Sequence, residues 1–267
     1  MSKQGLLYCC IRMENIRLLT FISCSALFFL LETIWPFKPH TEPRPRHISK
    51  NMTIAVINAV IYGFTFGIAA NWTIQQAEQV NFGLFHWIHL SYLQEIIIAV
   101  IILDFVVYLW HILLHRLPFL WRFHLVHHVD TRLDFSSGTR FHLGEMLGSM
   151  IFHLPWYFIL GISLDALIIN QVCMIIFTQF GHSNLKLPKW LDEPLRTIFV
   201  TSNFHQVHHS NIPHEFHSNY GHMLSIWDRL IRTYTARRDV DGVTTGIKKY
   251  PPVMTLGELM WLPFKRR

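Results

Sequence analysis

The sequence has little charge. Asp, Glu, Lys and Arg together make up 15% of its 267 residues, against roughly 25% in an average soluble domain. The shortage is localised, because no Lys or Arg lies between Lys50 and Arg116, nor between Arg140 and Lys186. Long apolar runs fill both gaps, which excludes an ordinary soluble globule and points to a chain built in lipid. Cysteine is also scarce. Of the four, Cys9 and Cys10 are adjacent and Cys24 and Cys173 sit in apolar runs, so neither a disulfide framework nor a zinc-type spacing is available. There is no G-x-G-x-x-G, no C-x-x-C-H and no cysteine cluster; the chain therefore lacks the signatures of a bound dinucleotide, c-type haem or iron–sulfur centre. The 23 basic residues exceed the 17 acidic ones by six, and beside apolar spans such an excess faces anionic lipid headgroups rather than nucleic acid. Histidine is the abundant residue, at 18, more than Asp and Glu combined.

A bilayer crossing takes about 20 apolar residues, and five segments approach this: 16–35, 52–70, 95–114, 145–161 and 163–180. Lys3, Arg12 and Arg17 precede the first as they would in a signal peptide, but no small-x-small site follows before Trp35-Pro36-Phe37, so a retained helix is expected. Only Gly161-Ile162 separates the last two segments, which therefore read as a hairpin with both ends on one side. Residues 38–50 carry Lys38, Arg44, Arg46 and Lys50, whereas 71–94 have no Lys or Arg; the former belongs in the cytoplasm. The same rule puts 115–141 and the tail 182–267, with 12 more basic residues, on that side. The expected fold is an all-α integral membrane protein, a small transmembrane bundle under a cytoplasmic helical cap. It has four spans if the first segment re-enters and five if it crosses, a crossing that leaves the basic N-terminus outside. Three parts are expected: 1–51, an N-terminal span and basic linker; 52–181, the bundle with the first histidine boxes; and 182–267, the cap.

Histidine spacing supplies the chemistry. His111 and His115 are i and i+4; His124, His127 and His128 are i, i+3 and i+4; His205, His208 and His209 repeat that triplet. Residues three or four apart share a helical face, so each box presents its imidazoles together. A given H-x-x-H-H window arises by chance with a probability on the order of 0.0003, too low for two copies to be accidental. Eight imidazoles exceed the four ligands of a structural zinc or the three of a catalytic one, which implies two metals. The boxes lack the glutamate of H-E-x-x-H proteases and the carboxylates of soluble di-iron bundles. Imidazole suits iron, copper and zinc alike; an all-nitrogen pair at a membrane surface favours iron, O2 activation and hydrophobic substrates. The competing class is a non-enzymatic membrane metal transporter or sensor, which would set its ligands along the spans near the bilayer midplane. Asp104, four residues before Tyr108 and seven before His111, is ionisable at membrane depth and is expected to accept a hydrogen bond from a ligand imidazole. His86 and His89 fall in the outer loop, away from the site.

At these residues the chain resembles the fatty acid hydroxylase and sterol desaturase superfamily of membrane-bound, histidine-box di-iron oxygenases. Residues 104–115, DFVVYLWHILLH, resemble its D-x-x-x-Y-x-x-H-x-x-x-H element, and 121–128, WRFHLVHH, its second box. Arg140-Phe141-His142 with Glu145 resembles the R-F-H-P-x-E turn, and Gly181-His182-Ser183-Asn184 before Leu187-Pro188 the H-S-N element. Residues 203–209, then Asn219-Tyr220-Gly221 and LSIWDRL at 224–230, complete the order over about half the chain. Leu143, His217 and Ile231-Arg232 depart from the usual proline, aspartate and Phe-Gly. The resemblance implies a pair of iron ions held by about ten histidines, with His142 and His182 added to the eight, and zinc able to replace iron in overexpressed protein. It further implies O2-dependent hydroxylation, desaturation or ether cleavage of a lipid or sterol, with electrons from a separate donor protein. Trp227 and Asp228 are expected to close the cap, and Arg237, Arg238, Lys248, Lys249 and Lys265 to Arg267 to face solvent or headgroups.

Overall fold

The computed structural model describes residues 3–237 and 239–265, with side chains from residue 13 onward apart from 63–64. The side chains of Lys3, Cys9, Cys10 and Arg12, and residues Arg238, Arg266 and Arg267, lie outside the described residues. Among the described residues there are thirteen α-helices: α1 Lys3–Ile34, α2 Arg44–Asn58, α3 Phe64–Gln79, α4 Leu84–Trp87, α5 Tyr92–Arg116, α6 Pro118–His128, α7 Leu143–Leu160, α8 Leu164–His182, α9 Lys189–Leu195, α10 Ser202–His208, α11 Pro213–Phe216, α12 Ile226–Leu230 and α13 Leu256–Trp261. Among the described residues there is no strand, only three isolated bridges.

Three helical stretches are long and apolar enough to cross a bilayer: Met13–Ile34, Tyr92–Arg116 and Leu164–His182, of 22, 25 and 19 residues. A fourth forms if α2 and α3 count as one span bent by 43°. The bend follows a single π-helical turn, Ala59–Gly63, so the expected second span is broken rather than straight. The first leg of the expected hairpin, α7, has 18 residues interrupted by Glu145, His153 and Pro155 and falls outside that set. Gly161, at φ 63°, closes the α7–α8 turn, a left-handed conformation that glycine adopts without penalty. Gly83 and His86 pack against this glycine.

The long helices are arranged so that the chemistry-bearing ends meet. α8 packs between α1 and α5, while α7 leans on α3. Ala70, Ala99 and Ala166 are fully buried where helices approach, small residues being what lets backbones come close in lipid. Leu18, Leu19, Ile22, Val60, Ile101 and Ile151 point outward, as a lipid-facing surface requires. At one end of the bundle Glu95 accepts from the Ser163 amide at 3.2 Å, next to the α7–α8 turn. At the other end are His115 of α5, all of α6, the start of α7 and the end of α8, so both legs of the hairpin return to one side. The segment 183–265 folds over this end as the cap.

A buried ionic cluster fastens α2 to the 129–142 connection. The two ring nitrogens of His47 reach Asp134 at 2.9 Å and Asp130 at 3.0 Å. The Ser137 hydroxyl donates to Asp130 at 2.7 Å, and Arg140 Nε donates to Asn51 Oδ1 at 2.8 Å. Burial alone would raise the Asp130 pKa; Arg140 and His47 outweigh it and hold the carboxyl well below the usual carboxylate range. Removing one partner of a buried pair strands the other charge, which costs about 3–5 kcal/mol. His47→Ala is therefore expected to lower the thermal unfolding midpoint of the solubilised protein sharply; an unchanged midpoint would show that the cluster does not hold the connection in place.

Candidate metal centre

The turn between α5 and α6 sets the first ligands. Leu117 is extended ahead of Pro118, since a residue preceding proline avoids the helical region, and α6 folds back along the face of α5 that carries His111 and His115. The Nε2 atoms of His111 and His124 come within 3.2 Å. α10 is capped by Thr201, whose hydroxyl accepts from the Phe204 amide, and delivers the third box from the cap. His182, the last residue of α8, completes the set from the bundle.

Nine imidazoles gather in two groups: His111, His115, His124, His128 and His208 in one, and His127, His182, His205 and His209 in the other. Within each group the ligand atoms lie inside 4.8 Å of one another. Helical spacing explains the division. In the second box the i and i+4 residues serve the first group and the i+3 residue the second; in the third box the assignment is reversed. Two helices, α6 and α10, thus each feed both groups and hold them side by side.

Polar acceptors orient the rings. His111 Nδ1 donates to the Tyr220 carbonyl at 2.8 Å, His124 Nδ1 to Glu145 at 2.9 Å, His182 Nδ1 to the Thr178 carbonyl at 2.7 Å and His208 Nδ1 to the Ser218 carbonyl at 2.7 Å. A proton held on Nδ1 leaves the Nε2 lone pair facing inward. Burial first, and then the neighbouring imidazoles, push the pKa values of His127, His128, His205 and His209 well below 6.5; burial takes His208 down to about 3. These rings are neutral at pH 7.

The residues fit a metal pair. Both nitrogens of His115 and His128 and Nε2 of His208 are buried without a hydrogen-bond partner, a state that buried polar atoms avoid unless something else satisfies them. Contacts between inner nitrogens of 2.9 Å for His127–His182 and 3.0 Å for His182–His205 match two ligands about 2.1 Å from one ion at a near-right angle. Nine all-nitrogen donors in groups of five and four suit two ions and exceed the needs of one.

Two expected residues lie elsewhere. His142 belongs to neither group: its Nδ1 accepts from the Gly144 amide at 2.9 Å, capping α7, and its Nε2 donates to the Met260 carbonyl at 3.2 Å. With both nitrogens engaged it has no lone pair left for a metal. Asp104 accepts from the amides of Met223 and Leu224 at 3.0 and 3.1 Å and from the Trp227 indole at 2.7 Å, not from an imidazole. It ties α5 to the loop whose Tyr220 carbonyl orients His111. Asp228 accepts from the Tyr220 and Gly221 amides, which ties α12 to the same loop. The sequence reading missed Glu145 as the partner of His124, although it stands three residues after His142. It also missed His222, next to Asn219-Tyr220-Gly221, which meets the Thr178 hydroxyl at 2.7 Å in the cavity wall.

A cavity of about 200 Å³ opens from the centre into the bundle, touched at its upper end by His111, His124, His127, His182 and His205. A second, of about 230 Å³, adjoins it between α1, α2 and α8 and shares Arg17, Tyr62, Phe141, Met146, Met174 and Thr178 with the first.

The fatty acid hydroxylase family model matches residues 96–233. Ornithine lipid hydroxylase OlsE of Rhizobium tropici is 26% identical over 223 residues, covering 80% of this chain and 65% of that protein. An alkylglycerol monooxygenase of Caenorhabditis elegans is 30% identical over 146 residues, 54% of this chain and 28% of that protein. Cholesterol 25-hydroxylase of Rattus norvegicus is 26% identical over 145 residues, 53% of this chain and 47% of that protein. The chain thus spans less than two thirds of the length of these relatives. No solved structure matches.

Metal loading under reducing conditions is expected to reach two ions per chain by elemental analysis, and one or fewer would contradict the two groups. In metal-free protein His127, His128, His205, His208 and His209 favour the native state only while neutral. Burial and neighbouring imidazoles hold their folded pKa values below 6.5, so as pH falls through 6.5 the unfolded chain takes up protons that the folded chain refuses, and stability declines. A melting midpoint that does not drop between pH 7.5 and pH 5.5 would refute this.

Proposed function

We propose that this chain, which belongs to the fatty acid hydroxylase family, is an integral membrane di-iron oxygenase that hydroxylates or desaturates a lipid or sterol C–H bond. The observation that carries the reading is the set of nine buried imidazoles, in groups of five and four, at the mouth of an apolar cavity within a bundle of bilayer-length helices. Lipid-modifying relatives support the substrate class. The ligands proposed are His111, His115, His124, His128 and His208 for one ion and His127, His182, His205 and His209 for the other. Two iron ions, when bound, supply O2 activation.

The rest of the reaction belongs to the protein. Glu145 and the carbonyls of Tyr220, Thr178 and Ser218 keep the rings in one tautomer and orientation. Val107, Trp110, Leu114, Met146 and Met174 line the cavity; they hold a hydrocarbon segment and keep water away from the oxidised position. Ala55, Ala59 and Phe21 border the adjoining cavity between α1 and α2, a side route by which substrate enters from the bilayer. The choice between hydroxylation and desaturation follows from where the C–H bond rests against the centre. Electrons come from a separate donor protein, consistent with the absence of flavin, haem and iron–sulfur signatures in the chain.

The cap and the histidine boxes are proposed to face the cytoplasm. The basic residues of 38–50 and of the tail support this side. Reporter fusions after Arg140 and after Arg267 are both expected to read cytoplasmic; opposite sides would separate the second box from the third and abolish the shared centre.

His128→Ala or His208→Ala is expected to eliminate lipid oxidation, because each removes a ligand and disorders its neighbours. His86→Ala, at the far end of the bundle beside Gly161, is expected to retain it. Lipid analysis of membranes containing equal amounts of each variant checks this, and equal inactivity of His86→Ala and His208→Ala would move the site away from the cap.

A further inference from the structure

The cap carries a basic recess that belongs to neither the metal centre nor its cavity. It measures about 180 Å³ and is lined by Arg122, Lys249, Lys265 and Tyr250 with buried Leu125 and Leu262, where the C-terminal segment packs on α6. None of its lining residues borders the two cavities of the bundle. Lys249, Tyr250, Leu262 and Lys265 lie beyond residue 233, where the family match ends. Among the described residues no acid lines the recess, and none of its three cations forms an ion pair. Arg266 and Arg267 follow in the sequence. Cations gathered around one hollow repel one another, so the recess favours an anion.

An exposed aromatic row adjoins the recess. Phe119 meets Phe123 at 5.4 Å between ring centroids, Phe123 meets Phe264 at 6.2 Å and Phe264 meets Trp261 at 5.4 Å. Arg122 and Lys265 are the chain neighbours of Phe123 and Phe264, which sets the charges along the row. Phe119, Trp261 and Phe264 are 68%, 65% and 54% exposed. His142 fastens the row: its ring lies against Phe123 and Phe264, and its Nε2 donates to the Met260 carbonyl.

The long helices fix the height of this surface. The Tyr92 hydroxyl donates to Asp165 at 3.2 Å and the Ser163 amide to Glu95 at 3.2 Å, which puts the start of α5 level with the α7–α8 turn. From that level α7 extends 18 residues back to Leu143, roughly 27 Å, and α5 extends 25 residues to Arg116, roughly 37 Å. Bilayer hydrocarbon is about 30 Å thick, so a bilayer bounded on the far side by the turn has its near boundary between these two heights. Phe264 packs on His142, which caps α7, and Phe119 follows the end of α5 directly after Pro118. The row therefore stands where acyl chains give way to headgroups.

We propose that this surface binds an anionic phospholipid of the leaflet on the cap side, with the headgroup in the recess and the aromatic row among the upper acyl chains. Aromatic rings suit that boundary, and Lys and Arg reach from it to the headgroups. Exposed Leu117 carries the apolar surface of α5 up to the row. Glu258, the acid of α13, accepts from the Thr255 amide and hydroxyl at 2.8 Å; its charge is engaged at the start of its own helix. A protein partner would approach from the water side, whereas the row lies at the height of lipid. The bound lipid is a structural one and not the substrate of the oxygenase reading. It braces α6, the helix that carries Arg122 on the recess and His124, His127 and His128 in the two histidine groups.

Trp261 reports on the site. Full-length protein is reconstituted in phosphatidylcholine nanodiscs with a trace of phosphatidylglycerol or phosphatidylcholine bearing a nitroxide high on its acyl chain. Emission from Trp261 is isolated as the wild type minus Trp261→Phe. Labelled phosphatidylglycerol is expected to quench it about fivefold more strongly than labelled phosphatidylcholine, the preference that one Lys or Arg confers at an anionic surface. Acrylamide in the water is expected to quench it little. Arg122→Gln combined with Lys265→Gln is expected to bring the two lipids level. Equal quenching by both lipids in the wild type, or an unchanged preference in the double variant, overturns the proposal. Quenching by acrylamide but by neither lipid overturns it in favour of a water-facing surface, and protection from all three in favour of a surface covered by protein. Phe264→Trp, compared with the wild type, places a second reporter in the row and gives the same readings if Trp261→Phe does not fold.

Discussion

The structure depends on nine imidazoles buried together with their inner nitrogens converging. A buried polar atom without a partner is costly, and here such atoms are concentrated in one place: His115, His128 and His208 all present nitrogens that no protein group satisfies. Neighbours of the same kind repel the charged form, so protonation offers no relief at neutral pH. Bound metal ions would resolve the conflict, because a cation uses the lone pairs that burial has freed. The surrounding structure serves to keep those rings from collapsing into some other pairing. Carbonyls of Tyr220, Thr178 and Ser218 and the Glu145 carboxylate hold the outer nitrogens, and Asp104 and Asp228 hold the loop that carries Tyr220.

The membrane supplies the second constraint. Apolar helices in lipid gain little from hiding hydrophobic surface, so packing falls to small residues and polar fastenings. Buried alanines let α5 pack on α8, while the His47–Asp130–Asp134 cluster pins α2 to the connection between α6 and α7. That connection positions both His127 and the start of α7, hence Glu145. A polar cluster outside the centre thus stabilises the geometry inside it. Glu32 has a similar part, accepting from the amides of Phe135 and Asn184 at 2.8 and 2.9 Å to link α1 with the end of α8.

The cavity adjoins both constraints. α7 and α8 share a tight turn at Gly161 yet lean on different partners, α3 for one and α1 and α5 for the other. The space beside them is lined by residues of α1, α5, α7 and α8 together with histidines of both groups.

Sequence alone determined the membrane class and the three boxes, because i, i+3, i+4 spacing fixes which imidazoles share a helical face whatever the helix packs against. It also placed the hairpin, since Gly161-Ile162 is too short to join separate domains. It could not assign rings to ions. That required the crossing of α6 and α10, which sends His127 to one group and His208 to the other. His142 shows the limit of reading a motif: the residue sits at the expected position, but its ring caps α7 and reaches Met260, a contact 118 residues away in sequence. Asp104 lies on the expected face of α5, yet the folded cap brings three donors to it before any imidazole arrives. Arg17 read as a charge preceding an apolar helix; only tertiary packing turned it into a cavity wall, because side chains 136 residues apart, Arg17 and His153, meet the same space only after α1 and α7 are folded around it.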